Sequence, residues 1–218
     1  GIRIPRHPVA QALLREFGRG VAAPSANRFG RVSPTTAEHV REELGDVVSV
    51  ILDGGPCEVG LESTIVDVSG SAPTVLRPGA VTAEQISAAL GKPVGHPTSD
   101  APRVPGALAS HYAPRARVEL VRPENLESRL DELLCSASRI AVLTDRSLAS
   151  HPQIVRIDLS AEPESQARHL YAALRMADHF GCDVALVPIP DEAGLGVAIA
   201  DRLRRAAGQG GAGEPTQN

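Results

Sequence analysis

Aromatic and sulfur-containing residues are scarce in this sequence. Its 218 residues include no Trp, one Met, two Tyr, three Phe and three Cys. Hydrophobic residues nevertheless make up 42% of the chain, which is an ordinary share for a globular protein. A folded core must therefore be built mainly from Val, Leu, Ile and Ala.

The few cysteines exclude two common ways of holding a small protein together. Cys57, Cys135 and Cys182 are odd in number and have no CxxC spacing. This argues against a disulfide framework and against a structural zinc site. The sequence also has no apolar run long enough to span a bilayer and no signal-peptide pattern. We expect a cytoplasmic protein in a reducing compartment.

Charge and short motifs exclude other classes of protein. The net charge is −4, which argues against nucleic-acid binding through a broad basic surface, although a local basic patch stays compatible with it. The sequence contains no HExxH, GxSxG or Walker pattern. It therefore gives no support for a zinc protease, an α/β-hydrolase or a P-loop NTPase.

A polar loop over residues 22–36 (AAPSANRFGRVSPTT) is the most distinctive stretch of the chain. Gly30 and Pro34 are incompatible with a core strand or a helix interior. The polar side chains of this loop are Ser25, Asn27, Arg28, Arg31, Ser33, Thr35 and Thr36. Hydroxyls and cations suit the binding of phosphate oxygens. A surface loop that only caps the following helix is an equally weighted alternative.

The residues around this loop predict a mixed α/β domain. Hydrophobic spacing predicts helices at residues 7–17, 36–44 and 82–90. Short apolar or alternating runs predict strands at residues 1–5, 21–23, 47–52, 60–68 and 74–77, and residues 47–52 are rich in β-branched residues. Helices connect only some of these strands. We therefore expect a twisted mixed sheet with flanking helices rather than a purely parallel one.

Residues 93–115 predict a linker between two domains. This stretch is rich in proline and has little hydrophobic periodicity. His111 and Tyr112 near its end are unusual for a linker, because the chain has only two tyrosines. The simplest interpretation is a tyrosine that packs the linker against the surface of a domain.

Residues 116–207 predict a second domain. Strands are expected at residues 117–121, 140–144, 155–159 and 184–189, and helices at residues 123–134, 162–180 and 195–207. This alternation predicts a small, Rossmann-like parallel sheet. The GLG at 194–196 lacks a third glycine, so it indicates a tight turn more than a dinucleotide site. Residues 208–218 are rich in glycine and are expected to form a disordered tail.

Polar residues suited to binding or catalysis concentrate in the first domain. They lie at the edges of predicted strands or in turns: Arg3, Ser25, Asn27, Ser33, Ser63 and Arg77. Arg77 ends a predicted strand before a Pro-Gly pair. It could form a surface salt bridge, which is the commoner case, or clamp a phosphate.

Several segments together resemble one protein family. In chain order they are RIPxHP at 3–8, PSANR at 24–28 with SPTT at 33–36, ESTIVD at 62–67, LRPGAVT at 76–82, HYAP at 111–114, and GLG at 194–196 with DRL at 201–203. They resemble the Sua5/YciO/YrdC family of threonylcarbamoyl-AMP synthases, in its longer two-domain Sua5 form. The resemblance implies a YrdC-like catalytic domain ending near residue 92, a linker over 93–115 and a Sua5 domain over 116–207.

This resemblance implies an enzyme that condenses L-threonine, bicarbonate and ATP into threonylcarbamoyl-AMP and pyrophosphate. Its product serves the t6A modification of tRNA through a tRNA threonylcarbamoyl transferase complex. The substrate ATP is expected with Mg²⁺. Positioning and charge neutralisation would carry such catalysis.

By position in the family motifs, the resemblance also assigns individual roles. The residues implied in ATP binding are Ser25, Ser33, Arg77 and Tyr112. Asn27 lies beside Ser25 in the catalytic position, and Arg3, Ser63 and the backbone of Ala23 are implied in threonine binding. Tyr112 would then act as part of a lid over the nucleotide.

The chain departs from the family in two places. It opens inside a predicted strand, and the family's N-terminal part, with a Lys and an Arg central to ATP and bicarbonate binding, is not present in it. We therefore expect an incomplete sheet with an exposed edge, and a chain that is inactive or nearly so by itself. Residues 107–110 also differ from the Met and the basic or aromatic residues of many relatives.

Two other functions are compatible with the same fold. One is an RNA-binding YrdC-like module without synthase activity, because single-domain relatives bind double-stranded RNA. The other is carbamoyl transfer in hydrogenase maturation. That function would require zinc-finger and acylphosphatase-like segments upstream, and it ranks last.

Overall fold

The chain forms two compact units in a computed structural model that describes residues 1–98, 101–102, 104–106, 111–137 and 139–208. Unit 1 consists of Gly1–Arg28 and Ser33–Cys57, and unit 2 of Phe29–Val32 and Glu58–Asn218. The linker stretch 107–110 and residues 209–218 of the predicted tail lie outside the described residues. The predicted domain boundaries stay a prediction.

Unit 1 contains the two helices that its sequence predicts. α1 is Pro8–Phe17, with proline in its first turn and Gly18 in the left-handed conformation that ends it. α2 is Ala37–Leu44, and the Thr36 side chain caps it by accepting a hydrogen bond from the His39 N–H at 3.2 Å. A short 3₁₀ turn, Gly45–Val47, follows α2.

Three strands predicted in this part of the chain do not form. Residues 1–5, 21–23 and 47–52 contain no strand, and several of their apolar side chains are exposed, with Ile2 97%, Ile4 91% and Val50 70% accessible. A strand requires hydrogen bonds to a neighbouring strand. The described residues of unit 1 provide no such neighbour. The apolar or β-branched composition of these segments is therefore not sufficient for a sheet.

In unit 2, a small antiparallel sheet precedes the third helix. β1 is Ile65–Asp67 and β2 is Thr74–Arg77, with an irregularity between the first two residues of β1. The Asp67 side chain accepts hydrogen bonds from the backbone and hydroxyl of Ser69, which fixes the turn. α3 is Ala83–Leu90 and begins with a capping box between Thr82 and Gln85.

The remainder of unit 2 is the predicted parallel α/β sheet. Its strands are β3 (Arg117–Val121), β4 (Ile140–Leu143), β5 (Ile154–Ile157) and β6 (Val184–Pro188), in the order β3-β6-β4-β5. Its helices are α4 (Leu126–Leu134), α5 (Pro163–His179) and α6 (Leu195–Ala206). All three strand pairs are parallel. The fold class predicted from the sequence is thus confirmed.

Side-chain alternation along the central strands divides the core into two layers. Ile140, Val142, Val184 and Leu186 pack with the apolar face of α4. The alternate residues Ala141, Leu143, Ala185 and Val187 pack with α5 and α6 on the other face. Because both faces are covered, these strands are apolar throughout. The core is aliphatic, as the composition predicts.

No helix in the described part of the chain combines the length and the apolar character that a membrane span requires.

Replacing Leu186 by Ala should lower the free energy of unfolding by about 3 kcal/mol, because it leaves a cavity in a fully buried central strand. Urea denaturation followed by circular dichroism measures this change. Val197→Ala on α6 is a suitable control, because Val197 is 41% accessible. It should change stability by less than about 0.5 kcal/mol. Equal losses in the two variants would contradict the assignment of the core.

Candidate functional site

The residues predicted to bind substrates are distributed over both units. Those in unit 1 are Arg3, Ala23, Ser25, Asn27 and Ser33, and those in unit 2 are Ser63, Arg77 and Tyr112. The structure therefore gives the contacts of these residues within each unit separately. The assignment of these residues to substrates stays a prediction.

In unit 1, hydrogen bonds hold the polar loop without making it a helix or a strand. The Asn27 amide donates to the Arg28 carbonyl at 3.0 Å, and the Arg28 guanidinium donates to the Glu43 carbonyl at the end of α2 at 3.3 Å. Ala26 adopts φ 55°, a left-handed conformation that is uncommon for a residue with a side chain. The loop is thus a fixed polar segment, as its Pro and Gly content predicts.

The predicted unit 1 residues differ in accessibility. Arg3, Ala23 and Ser25 are exposed, Asn27 is half-buried, and Ser33 is buried. Near Ser33, the Thr35 carbonyl accepts from the Cys57 N–H at 2.8 Å, which fixes the end of the loop. Exposed groups are available to a ligand.

In unit 2, Arg77 connects two parts of the predicted site. Its Nε and Nη2 atoms donate to the Ser63 carbonyl at 3.2 and 2.8 Å, and its Nη1 donates to the Pro105 carbonyl at 2.8 Å. The side chain is buried, and this burial lowers the pKa of the guanidinium. The surface salt bridge considered from the sequence is therefore not what Arg77 forms.

Tyr112 is buried in unit 2 and has an unusual backbone conformation, with φ 63°. Its ring stacks on that of Tyr171 with centroids 5.6 Å apart, and the Arg202 guanidinium lies 5.4 Å from its centroid. Burial also raises the pKa of its hydroxyl. Gly106 contacts that hydroxyl so closely that a Cβ there would overlap with it. The structure thus shows a tyrosine that packs the linker against unit 2.

Three residues that sequence reasoning did not assign to a site form a largely buried charged centre in unit 2. Arg202 of α6 has no accessible surface, and its Nε atom donates to Glu62 Oε2 at 2.8 Å. The Tyr171 hydroxyl of α5 donates to the same oxygen at 2.8 Å. Arg202 also donates to the Pro78 carbonyl at 2.9 Å and to Asp201 Oδ2 at 2.5 Å.

A signal for Arg202 was present in the sequence. Residue 202 lies three and four positions after Ile199 and Ala198, which face the core, so helical periodicity directs it inward. A charged residue in that register requires a buried partner. Arg202 enters the sequence interpretation only through the DRL motif at 201–203, without an assigned partner.

The electrostatics of this centre follow from its burial and its charge pairing. Burial disfavours the charge of Arg202, but Tyr171 and Glu62 more than offset this and raise its pKa above the ordinary value. Burial, together with the Glu62 carboxylate, raises the pKa of Tyr171 well above its ordinary value. At neutral pH the centre therefore consists of a neutral tyrosine, a carboxylate and a guanidinium.

Replacing Glu62 by Gln should lower the free energy of unfolding by about 3 kcal/mol, because it removes the carboxylate paired with a buried guanidinium. Urea denaturation at pH 7 measures the loss. Glu192→Gln provides a matched control, since Glu192 pairs with Arg204 at the surface and its loss should cost less than about 1 kcal/mol. A Glu62→Gln variant as stable as the control would contradict a buried ion pair.

Two protein-family models match the chain. The model described as "Threonylcarbamoyl-AMP synthase, C-terminal domain" matches residues 81–208. The Sua5_yciO_yrdC model, described as "Telomere recombination", matches residues 1–79. The first match alone covers more than half of the chain.

Curated relatives match most of the chain. The threonylcarbamoyl-AMP synthase of Bacillus subtilis is 39% identical over 216 residues, which is 95% of this chain and 62% of that protein. The threonylcarbamoyl-AMP synthase of Pyrococcus abyssi is 35% identical over 218 residues, which is 95% of this chain and 63% of that protein. The chain thus spans somewhat less than two thirds of these relatives.

A solved structure has the same fold. The crystal structure of P. abyssi Sua5 complexed with L-threonine matches with a TM-score of 0.81 and 34% identity, covering 95% of this chain and 63% of that one. Family model, relatives and solved structure agree. The chain belongs to the Sua5 family of threonylcarbamoyl-AMP synthases.

Proposed function

We propose that this chain carries ATP- and threonine-binding residues of an L-threonylcarbamoyladenylate synthase. The reaction condenses L-threonine, bicarbonate and ATP into threonylcarbamoyl-AMP and pyrophosphate, for the t6A modification of tRNA. The observation that carries this proposal is the match to P. abyssi Sua5 complexed with L-threonine, over 95% of the chain at 34% identity.

The chemistry has two steps. The threonine amine combines with bicarbonate to give a carbamate and water. A carboxylate oxygen of the carbamate then attacks the α-phosphorus of ATP, and pyrophosphate leaves. Neither step requires a covalent intermediate with the protein, so the protein contributes orientation and neutralisation of the phosphate charge.

The proposed roles of the residues follow the family motifs. Threonine is bound by Arg3, the Ala23 backbone and Ser63, and ATP is bound by Ser25, Ser33, Arg77 and Tyr112. Asn27 acts with Ser25 near the reacting groups.

The contacts of Arg77 support these roles in unit 2. Arg77 donates two hydrogen bonds to the Ser63 carbonyl, so a residue proposed for ATP adjoins one proposed for threonine. The Ser63 side chain is exposed, while its carbonyl is held. An exposed hydroxyl on a fixed backbone suits the binding of a small polar ligand.

We further propose that Arg77 binds a phosphate oxygen of ATP in place of one of its present carbonyl acceptors. Its Nη1 donates to the Pro105 carbonyl in the linker. A phosphate oxygen is a stronger acceptor for a guanidinium than a neutral carbonyl. Binding of ATP would therefore release the Pro105 carbonyl from Arg77.

Mg²⁺ is proposed to enter with ATP, bound to its phosphates as is usual for nucleotide substrates. The described residues contain no group of three or more His, Cys, Asp or Glu side chains suited to a metal ion. We also propose that the protein acts in the cytoplasm and that its product passes to a tRNA threonylcarbamoyl transferase complex. The thiols of Cys135 and Cys182, which form no disulfide, suit a reducing compartment.

Replacing Ser63 by Ala should weaken binding of L-threonine about tenfold, because one hydrogen bond to the ligand is lost. ATP binding should change less than twofold. Isothermal titration calorimetry with each ligand measures both affinities. Ser69→Ala, a hydroxyl in the turn of the same hairpin, is the control and should leave both unchanged.

Two outcomes would contradict the proposed function. One is a wild-type chain that binds neither L-threonine nor ATP. The other is salt-sensitive binding of double-stranded RNA without ATP binding, which would favour the RNA-binding module.

A further inference from the structure

The segment of residues 58–63 lies along helix α5 in unit 2. The Arg168 Nε atom donates to the Glu58 carbonyl at 2.8 Å, and Tyr171, about one turn later, donates to Glu62. Between them, Gly60 has φ 82° and approaches the helix backbone so closely that a Cβ would overlap with the Ala167 carbonyl. The segment that leads into Ser63 is therefore fixed by helix α5.

Arg202 of α6 holds the residues next to both predicted substrate residues of the hairpin. Glu62, which accepts from its Nε atom, immediately precedes Ser63. Pro78, whose carbonyl accepts from its Nη2 atom, immediately follows Arg77. One side chain thus connects the segment that contains Ser63 with the segment that contains Arg77.

These two segments also contact each other directly. Gly79 lies so close to the backbone of residues 62–64 that a Cβ there would overlap with Thr64 and contact the Glu62 carbonyl at 2.6 Å. Backbones packed this closely can shift little relative to each other, so a movement of one segment must move the other. Bonds from Arg202 to both segments fix this relative position.

A role limited to core stability would not require an arginine here. Ile199 and Leu203, which lie beside Arg202 in α6, are apolar and buried. Apolar side chains of similar volume in place of both Arg202 and its partner Glu62 would avoid the desolvation of two charges, and such replacements of a whole buried ion pair are often neutral or stabilising. A guanidinium offers what they lack, which is several donors in a fixed planar arrangement that can bind separate acceptors.

We propose that Arg202 is a positioning residue for the substrate site, acting through Glu62 and Pro78 to hold Ser63 and Arg77 in register. This rests on the proposed function, because that function assigns Ser63 to threonine and Arg77 to ATP. It gives the C-terminal part of the chain a task in substrate binding without contact to the substrates.

The test compares Arg202→Leu, Arg202→Lys and wild type in the full chain, with Arg204→Leu as the control. Arg204 is the second residue after Arg202 on the same helix and pairs with Glu192 at the surface. Hydrogen–deuterium exchange with mass spectrometry measures the amides of residues 62–66 and 75–79. Calorimetry at a temperature well below the unfolding midpoint measures the affinities for L-threonine and ATP.

In Arg202→Leu, exchange in both segments should accelerate about tenfold, and L-threonine should bind at least about tenfold more weakly. Exchange in β4 and α4 should not change. Arg202→Lys should recover part of both effects, because a lysine keeps the charge but offers one bonding centre instead of a fork. Arg204→Leu should match wild type throughout.

Glu62→Gln provides a second variant in case Arg202→Leu does not fold. It keeps the bond from Arg202 to Pro78, so exchange should accelerate more at residues 62–66 than at residues 75–79.

Unchanged exchange in both segments, or wild-type affinity for L-threonine in a folded Arg202→Leu, would overturn the positioning role. If wild type binds neither ligand, the proposed function fails, and the exchange data alone decide whether Arg202 holds the two segments.

Discussion

The buried guanidinium of Arg202 is the interaction on which the arrangement of unit 2 depends. A cation with no accessible surface is stable only where acceptors surround it. Those acceptors are a carboxylate from the segment before β1 and a carbonyl from the turn after β2. The buried charge on α6, which packs on the parallel sheet, therefore requires the β1-β2 hairpin to lie where its flanking segments supply these acceptors.

The linker joins the same centre through its tyrosine. Tyr112 lies against Tyr171 and Arg202, while the preceding Pro105 accepts from Arg77. After Tyr112, the Ala113 N–H donates to the Gly30 carbonyl at 2.9 Å, which brings part of the polar loop into unit 2. Segments distant in sequence thus share a small set of polar contacts.

Elements with strong local patterns could be predicted from the sequence, and elements that depend on distant neighbours could not. The four parallel strands and their helices follow from hydrophobic periodicity and capping residues. Residues 47–52 have an equally clear strand composition, yet they form no strand because the described residues of unit 1 give them no hydrogen-bonding neighbour. Composition measures only the tendency of a segment to join a sheet.

The sequence by itself determined the aliphatic core, the parallel domain, the polar loop and the motifs that identify the family. Tertiary structure decided which polar residues meet. The partners Glu62 and Arg202 are 140 positions apart, so no local pattern connects them. The fold likewise decided that Tyr112 packs against Tyr171 and that Arg77 is buried. The physical reason is that helical and strand periodicity act over a few residues, whereas the pairing of buried charges depends on how distant elements pack.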